Sequence, residues 1–190
     1  MTKTSEHLSW TVESSEFMGD FRIFTIEKVR ARLESRGAVG HFFRVMPPDW
    51  VNIIALNSAG EIALIRQHRH GTNSIMLEIP GGMVDKGEQG LTAAVRELQE
   101  ETGITAPNWQ HIGRVHPNPA FQTNRCDTFL ALNASVTDPI HEDEHEAIDL
   151  EWVPLQELPG LIARGEITHA IVLSAFMHFV NFAGGWKIPE

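Results

Sequence analysis

Apolar and polar positions along the chain predict short strands interrupted by a few helices. Residues 21–26 and 40–45 read as strands. The charged stretch between them, residues 27–36, is compatible either with a continued strand or with a helical turn. Pro47 and Pro48 mark a junction. Residues 51–56 and 61–66 are apolar-rich strands joined by Asn57-Ser58-Ala59-Gly60, a turn composition that predicts a hairpin. Leu91, Ala94, Val95 and Leu98 recur at helical spacing and predict a helix between Gly90 and Gly103, with one buried apolar stripe. Further strands are expected over residues 109–115, 126–132 and 148–153. A short helix follows at residues 154–164 and a longer one at 168–182, with Thr168 as N-cap and Ile171, Val172, Ala175, Phe176 and Phe179 as its buried face. The mixture predicts an α/β fold with a sheet between helices.

The helix that follows Gly90 poses an electrostatic question. At roughly 100° per residue, Glu97 and Glu101 lie together beside the apolar stripe, and Glu100 falls further round towards solvent. Each like-charged pair on such a helix costs roughly 0.2–0.5 kcal/mol. One resolution is a solvated acidic face partly compensated by Arg96 and Lys86. The other is a hard divalent cation held through oxygen ligands, which cancels the repulsion.

Composition narrows the class. A chain of 190 residues predicts one domain with an appendage. Its single cysteine, Cys126, excludes an internal disulfide, fits a reducing compartment and reads as a buried small hydrophobe. With 25 acidic against 15 basic residues and a net charge of −10, general affinity for nucleic acid or an anionic membrane is not expected. An anionic phosphate substrate then needs local help from metal and arginine. The first residues lack the layout of a signal peptide, and the apolar run near residues 171–183 is interrupted by Ser174, His178 and Asn181. A soluble, cytoplasmic protein is the expectation. His141-Glu142-Asp143-Glu144-His145 matches a zinc-protease pattern, but that chemistry needs a helix, and here Pro139 precedes and a strand follows.

From Gly82 to Ile104 the chain reads GX5EX7REUXEEXGU, with U a bulky aliphatic residue and every fixed position present: Gly82, Glu88, Arg96, Glu97, Leu98, Glu100, Glu101, Gly103 and Ile104. This resembles the Nudix box. It is not a phosphate-binding Walker loop, because Glu88 and Gln89 stand where Lys and Ser or Thr are required. Arg66-x-x-Arg69, then Leu77-Glu78-Ile79-Pro80-Gly81-Gly82, and Pro119 beyond the box are similar to the ADP-ribose and nucleoside diphosphate sugar pyrophosphatase branch. Two positions depart from it: His68 replaces the usual Tyr, and Gly81 the usual Ala.

The resemblance implies a Nudix α/β/α sandwich with a mixed sheet over residues 47–190, preceded by an amino-terminal antiparallel β extension, residues 1–46, that contributes to a homodimer. It implies Mg²⁺, or Mn²⁺, on the Gly81 carbonyl and on Glu97, Glu101 and Glu146, with Glu100 as a further catalytic acid and Glu144 as the base. Arg66, Arg69 and Glu78 would hold a nucleoside diphosphate sugar, and the Glu88–Arg96 pair would order loop and helix. Phe121 is either a stacking platform for base or sugar or a core aromatic. The implied reaction is hydrolysis of the pyrophosphate bond to a nucleoside monophosphate and a sugar phosphate. The alternatives are a nucleoside triphosphate pyrophosphohydrolase and a sensor that binds an ADP-ribose-like ligand without turning it over.

Overall fold

The computed structural model of the chain describes residues 5–139 and 147–189. The strands are β1 (Trp10–Asp20), β2 (Thr25–Leu33), β3 (Ala38–Met46), β4 (Trp50–Leu56), β5 (Glu61–Arg69), β6 (Ser74–Glu78), β7 (Gly81–Met83), β8 (Ile104–Thr105), β9 (Asn108–Val115), β10 (Cys126–Leu132), β11 (Ser135–Val136) and β12 (Ile148–Pro154). The helices are α1 (Gly90–Thr102), α2 (Leu158–Ala163) and α3 (Ala170–Ala183). Two compact units result. One runs to Pro48 and takes in His116–Asn124; the other is Asp49–Val115 with the chain from Arg125 onward.

The first unit is an antiparallel sheet in the order β1-β2-β3. Of residues 27–36, which periodicity left undecided, those up to Leu33 continue the strand as β2 and the rest turn towards β3, whereas residues 21–24 form the turn that precedes β2, with Arg22 at a left-handed φ of 66°. The strand β1 is absent from the sequence reading, because its side chains are nearly all exposed and carry no alternation. It bulges between Val12 and Ser14, and the intervening Glu13 pairs with Arg30 and Arg32 of β2. The segment of residues 116–124 joins β3 through a parallel bridge, Val45 to Gln122.

The second unit is built on a mixed sheet in the order β12-β5-β4-β10-β9, with β6 on β5 and β7 on β4. The β4–β10 pair is parallel. Between β4 and β5 the turn is set by Asn57, whose Oδ1 accepts the N–H groups of Ala59 and Glu61 at 2.9 and 3.0 Å. The hairpin pairs only at Leu56 and Ile62 before β5 departs to β6 and β12. Along β4 the side chains alternate between two cores. Val51, Ile53 and Ala55 face α1, packing with Ala93, Ala94 and Leu98. Ile54 and Leu56 face α2 and α3, packing with Leu158, Val172, Phe176 and Phe179. This is a helix–sheet–helix sandwich, as the sequence predicts.

The helix α3 begins at Ala170 with His169, not Thr168, in the N-cap position. The side chain of His169 reaches Glu78 at the end of β6, its Nδ1 lying 2.8 Å from Glu78 Oε2. Burial pushes the Glu78 carboxyl up, but the hydrogen bonds from His169 and Arg69, together with the arginine's charge, outweigh it and hold the group at about 2. Glu78 is thus a buried anion joining β5, β6 and α3. Because its pKa in the fold lies below the ordinary 4.5, its contribution is complete above about pH 4.5 and is lost as pH falls towards 2. A Glu78→Gln variant is expected to be less stable at neutral pH by on the order of 3 kcal/mol. In urea unfolding, that difference from the wild type should shrink steadily once the pH is lowered below 4.5.

Candidate active site

The segment from β7 to the end of α1 gathers most of the acids singled out in the sequence. The helix α1 ends at Gly103, which takes a left-handed φ of 64° and whose N–H closes on the Gln99 carbonyl at 2.8 Å. Its carbonyl accepts the N–H groups of Thr137 and Asp138. The buried face consists of Ala93, Ala94, Leu98, Glu101 and Thr102, so Leu91 and Val95 of the expected stripe lie exposed. The reason is shape: two alanines let the helix lie close on β4, and the larger residues turn to its flanks. This rotation directs Glu97 and Glu101 at β7.

There the backbone has no side chains to interfere. Glu101 is buried, and its Oε2 accepts the Gly81 N–H at 3.0 Å. Glu97 lies directly over Gly82: a Cβ placed on that glycine would stand 2.3 Å from the Glu97 carboxyl carbon. A Cβ on Gly81 would meet the Val51 carbonyl oxygen at the same 2.3 Å. A side chain at 81 would thus press on the β4 backbone, and one at 82 would displace the Glu97 carboxylate.

Arg96 ties this arrangement together. Its Nε and Nη2 donate to the two oxygens of Glu88 at 3.2 and 3.0 Å, and Nη2 also donates to the Met83 carbonyl at 3.0 Å. Its Nη1 donates to Glu97 at 2.9 Å and to Glu100 at 3.1 Å. The hydrogen bond to Glu88 is the main cause that pushes the arginine's pKa further up, and the Glu88 carboxyl is lowered by the same contact and by the Asp85 N–H. Glu100 is exposed and bound only at its edge to Arg96.

The remaining predicted residues are distributed as follows. Arg66 on β5 pairs with Glu151 of β12 at 2.9 Å, both side chains being part-exposed. Arg69, at the end of β5, grips Glu78 with a fork, Nε to Oε1 at 3.0 Å and Nη2 to Oε2 at 2.8 Å. Phe121 belongs to the first unit and is exposed. Glu144 and Glu146 lie outside the described residues, as does the zinc-like pattern around them. Cys126 is fully buried, and burial, with Asp127 and Asp49 nearby, pushes its thiol up to about 12, which makes it inert as a nucleophile. The sequence reading missed His169. No local pattern points to it, since its partner is 91 positions away.

Among the described residues no three acidic, histidine or cysteine side chains converge as a metal-binding group. What does converge is two carboxylates, Glu97 and Glu101, on the backbone of Gly81 and Gly82. Oxygen donors from carboxylate and main chain, in a cradle that a single Cβ would fill, fit a hard divalent cation.

Comparison with known proteins agrees with this geometry. The model of the NUDIX domain matches residues 46–176. An ADP-ribose pyrophosphatase of Mycobacterium tuberculosis is 29% identical, over 98% of this chain and 90% of its own length. Another of Bacillus subtilis is 30% identical, over 80% of this chain and 79% of its own. In fold, the chain superposes on the crystal structure of an ADP compounds hydrolase with a TM-score of 0.82 at 24% identity, covering 93% of this chain and 96% of that one. A glycine pair under two helix carboxylates, inside a domain match that spans most of the chain, has one reading: the protein belongs to the Nudix family.

Proposed function

We propose that the chain hydrolyses the pyrophosphate bond of ADP-ribose, or of a closely similar nucleoside diphosphate sugar, to a nucleoside monophosphate and a sugar phosphate. It is a Nudix hydrolase of the ADP-ribose pyrophosphatase branch. The observation that carries the reading is the convergence of Glu97 and Glu101 on Gly81 and Gly82. Enzymes of this family generally use divalent metal ions; for this chain we assign Mg²⁺, with Mn²⁺ as substitute, to Glu97, Glu101, the Gly81 carbonyl and Glu146.

A divalent cation held there would neutralise charge at the phosphate oxygens and lower the pKa of an attacking water. The protein's own groups do the rest. Glu144 takes the proton from that water, a role usually worth ~10²–10⁴ in rate. Arg96, saturated by Glu88, Glu97, Glu100 and Met83, keeps the carboxylates in register with β7. Arg66 and Arg69, each fixed by a carboxylate yet part-exposed, hold the anionic substrate against a chain whose net charge of −10 opposes it. Glu100 is a second acid at the rim of the site, and Phe121, exposed on the first unit, keeps its reading as a residue able to stack on a base or sugar.

The division into residues 1–46 and 47–190 belongs to the same proposal, with the amino-terminal sheet as a homodimerisation element. Its exposed Trp10, Val12, Phe17, Phe21, Phe42 and Phe43 support that reading. We place the protein in the cytoplasm. No described helix is long and apolar enough to cross a membrane.

The decisive assay is product identification with Mg²⁺. Equimolar AMP and ribose 5-phosphate from ADP-ribose is expected; release of inorganic pyrophosphate from nucleoside triphosphates as the main activity would defeat the reading. Glu97→Gln and Glu101→Gln should each lower kcat by ~10²–10⁴, because several kcal/mol of transition-state stabilisation is lost. Unchanged turnover in either, with the fold intact by circular dichroism, would refute the metal assignment. Light scattering at micromolar concentration should give twice the 21.3 kDa of one chain.

A further inference from the structure

Glu78 is only 1% exposed and is ionised. A buried carboxylate is tolerated where donors satisfy its oxygens. The Arg69 fork uses both of them, and His169 Nδ1 makes a further contact to Oε2 at 2.8 Å. An ionised carboxylate only accepts, so Nδ1 of His169 is the donor in this contact. The imidazole occupies the N-cap of α3, where Ser, Thr, Asp or Asn ordinarily serve the helix's own N–H groups. It makes no such cap and is turned to β6 instead.

The helix end that carries it is firmly placed. Asn52 of β4, itself buried, donates its Nδ2 to the Ile171 carbonyl in the first turn at 3.1 Å. Behind that turn Val172, Phe176 and Phe179 are buried in the core. His169 is thus a donor on a fixed frame, aimed at the carboxylate that the Arg69 fork grips.

We propose that His169 is a positioning residue for substrate binding: by donating to Glu78 it fixes the carboxylate in the orientation that presents the Arg69 guanidinium to the substrate's phosphate or ribose oxygens. This rests on the substrate-holding role given to Arg69 above. Without the His169 donor the Glu78 carboxylate loses one of its fixed contacts, and the direction in which it holds the Arg69 donors is less sharply set. The loss falls on binding that ground state and transition state share, so it appears in KM and not in kcat.

The test compares His169→Ala with His169→Asn, whose side-chain amide keeps an N–H near the place of Nδ1. With ADP-ribose and Mg²⁺, His169→Ala should raise KM about 10-fold while kcat stays within about twofold. His169→Asn should recover most of that loss. In a Glu78→Gln background, His169→Ala should add nothing further, because its effect passes through that carboxylate. Independently of turnover, ¹⁵N-edited NMR should show a sharp, slowly exchanging Arg69 Nε–H in the wild type and in His169→Asn, and a broadened one in His169→Ala.

An unchanged KM in His169→Ala overturns the proposal. So does an Asn variant as impaired as the Ala variant, or additive effects of the Glu78 and His169 substitutions. If the wild type hydrolyses no nucleoside diphosphate sugar, the functional reading falls by itself, and the Nε–H signal alone decides whether His169 orients Arg69.

Discussion

A guanidinium has five N–H donors, and in Arg96 all five find acceptors: two on Glu88, one each on Glu97 and Glu100, and the Met83 carbonyl. Three carboxylates that would repel one another on and beside a single helix are thereby gathered around one cation. The consequence is positional as well as electrostatic. Met83 and Glu88 bracket the loop between β7 and α1, so the same side chain that neutralises the helix also fastens the loop to it. A lysine in this place could supply charge but neither the planar fork nor the reach to opposite sides.

The sandwich is asymmetric for a related reason. The helix α3 meets the sheet with Val172, Phe176 and Phe179, whereas α1 meets it with Ala93, Ala94 and Leu98. Close approach brings carboxylates within hydrogen-bonding distance of the main chain of β7. Stability on the α3 side comes from apolar volume. On the α1 side, a core of smaller residues is joined by the Arg96 network and the fixed end at Gly103.

Strand and helix positions in the second unit were legible because buried strands and amphipathic helices leave a local periodicity. A sheet between helices, β9, β10, β12 and α1 all follow from such runs, whereas the mixed order of the sheet was implied by the family resemblance. The first strand was not legible, since eleven mostly exposed residues leave no such signal. The rotation of α1 was also misread: Leu91 and Val95 look like core by hydrophobicity, yet the sheet selects the small residues. Within the site, the contact of Arg96 with Glu88 was an implication of the resemblance to the Nudix box. The contact of His169 with Glu78 could not be anticipated, because it depends on where α3 returns to the sheet. The first helical turn of α3 shows the limit plainly: Thr168 has the better capping chemistry, but the buried carboxylate across the fold puts His169 at the cap.

Gly82 offers no functional group, and its importance lies in the absence of one. The Glu97 carboxylate occupies the volume that any side chain at position 82 would need. The two positions therefore form one unit of inheritance: a residue other than glycine at 82 survives only alongside a different carboxylate geometry at 97. A mutational scan that ranks residues by the reactivity of their side chains would pass over this glycine, although exchanging it displaces the Glu97 carboxylate.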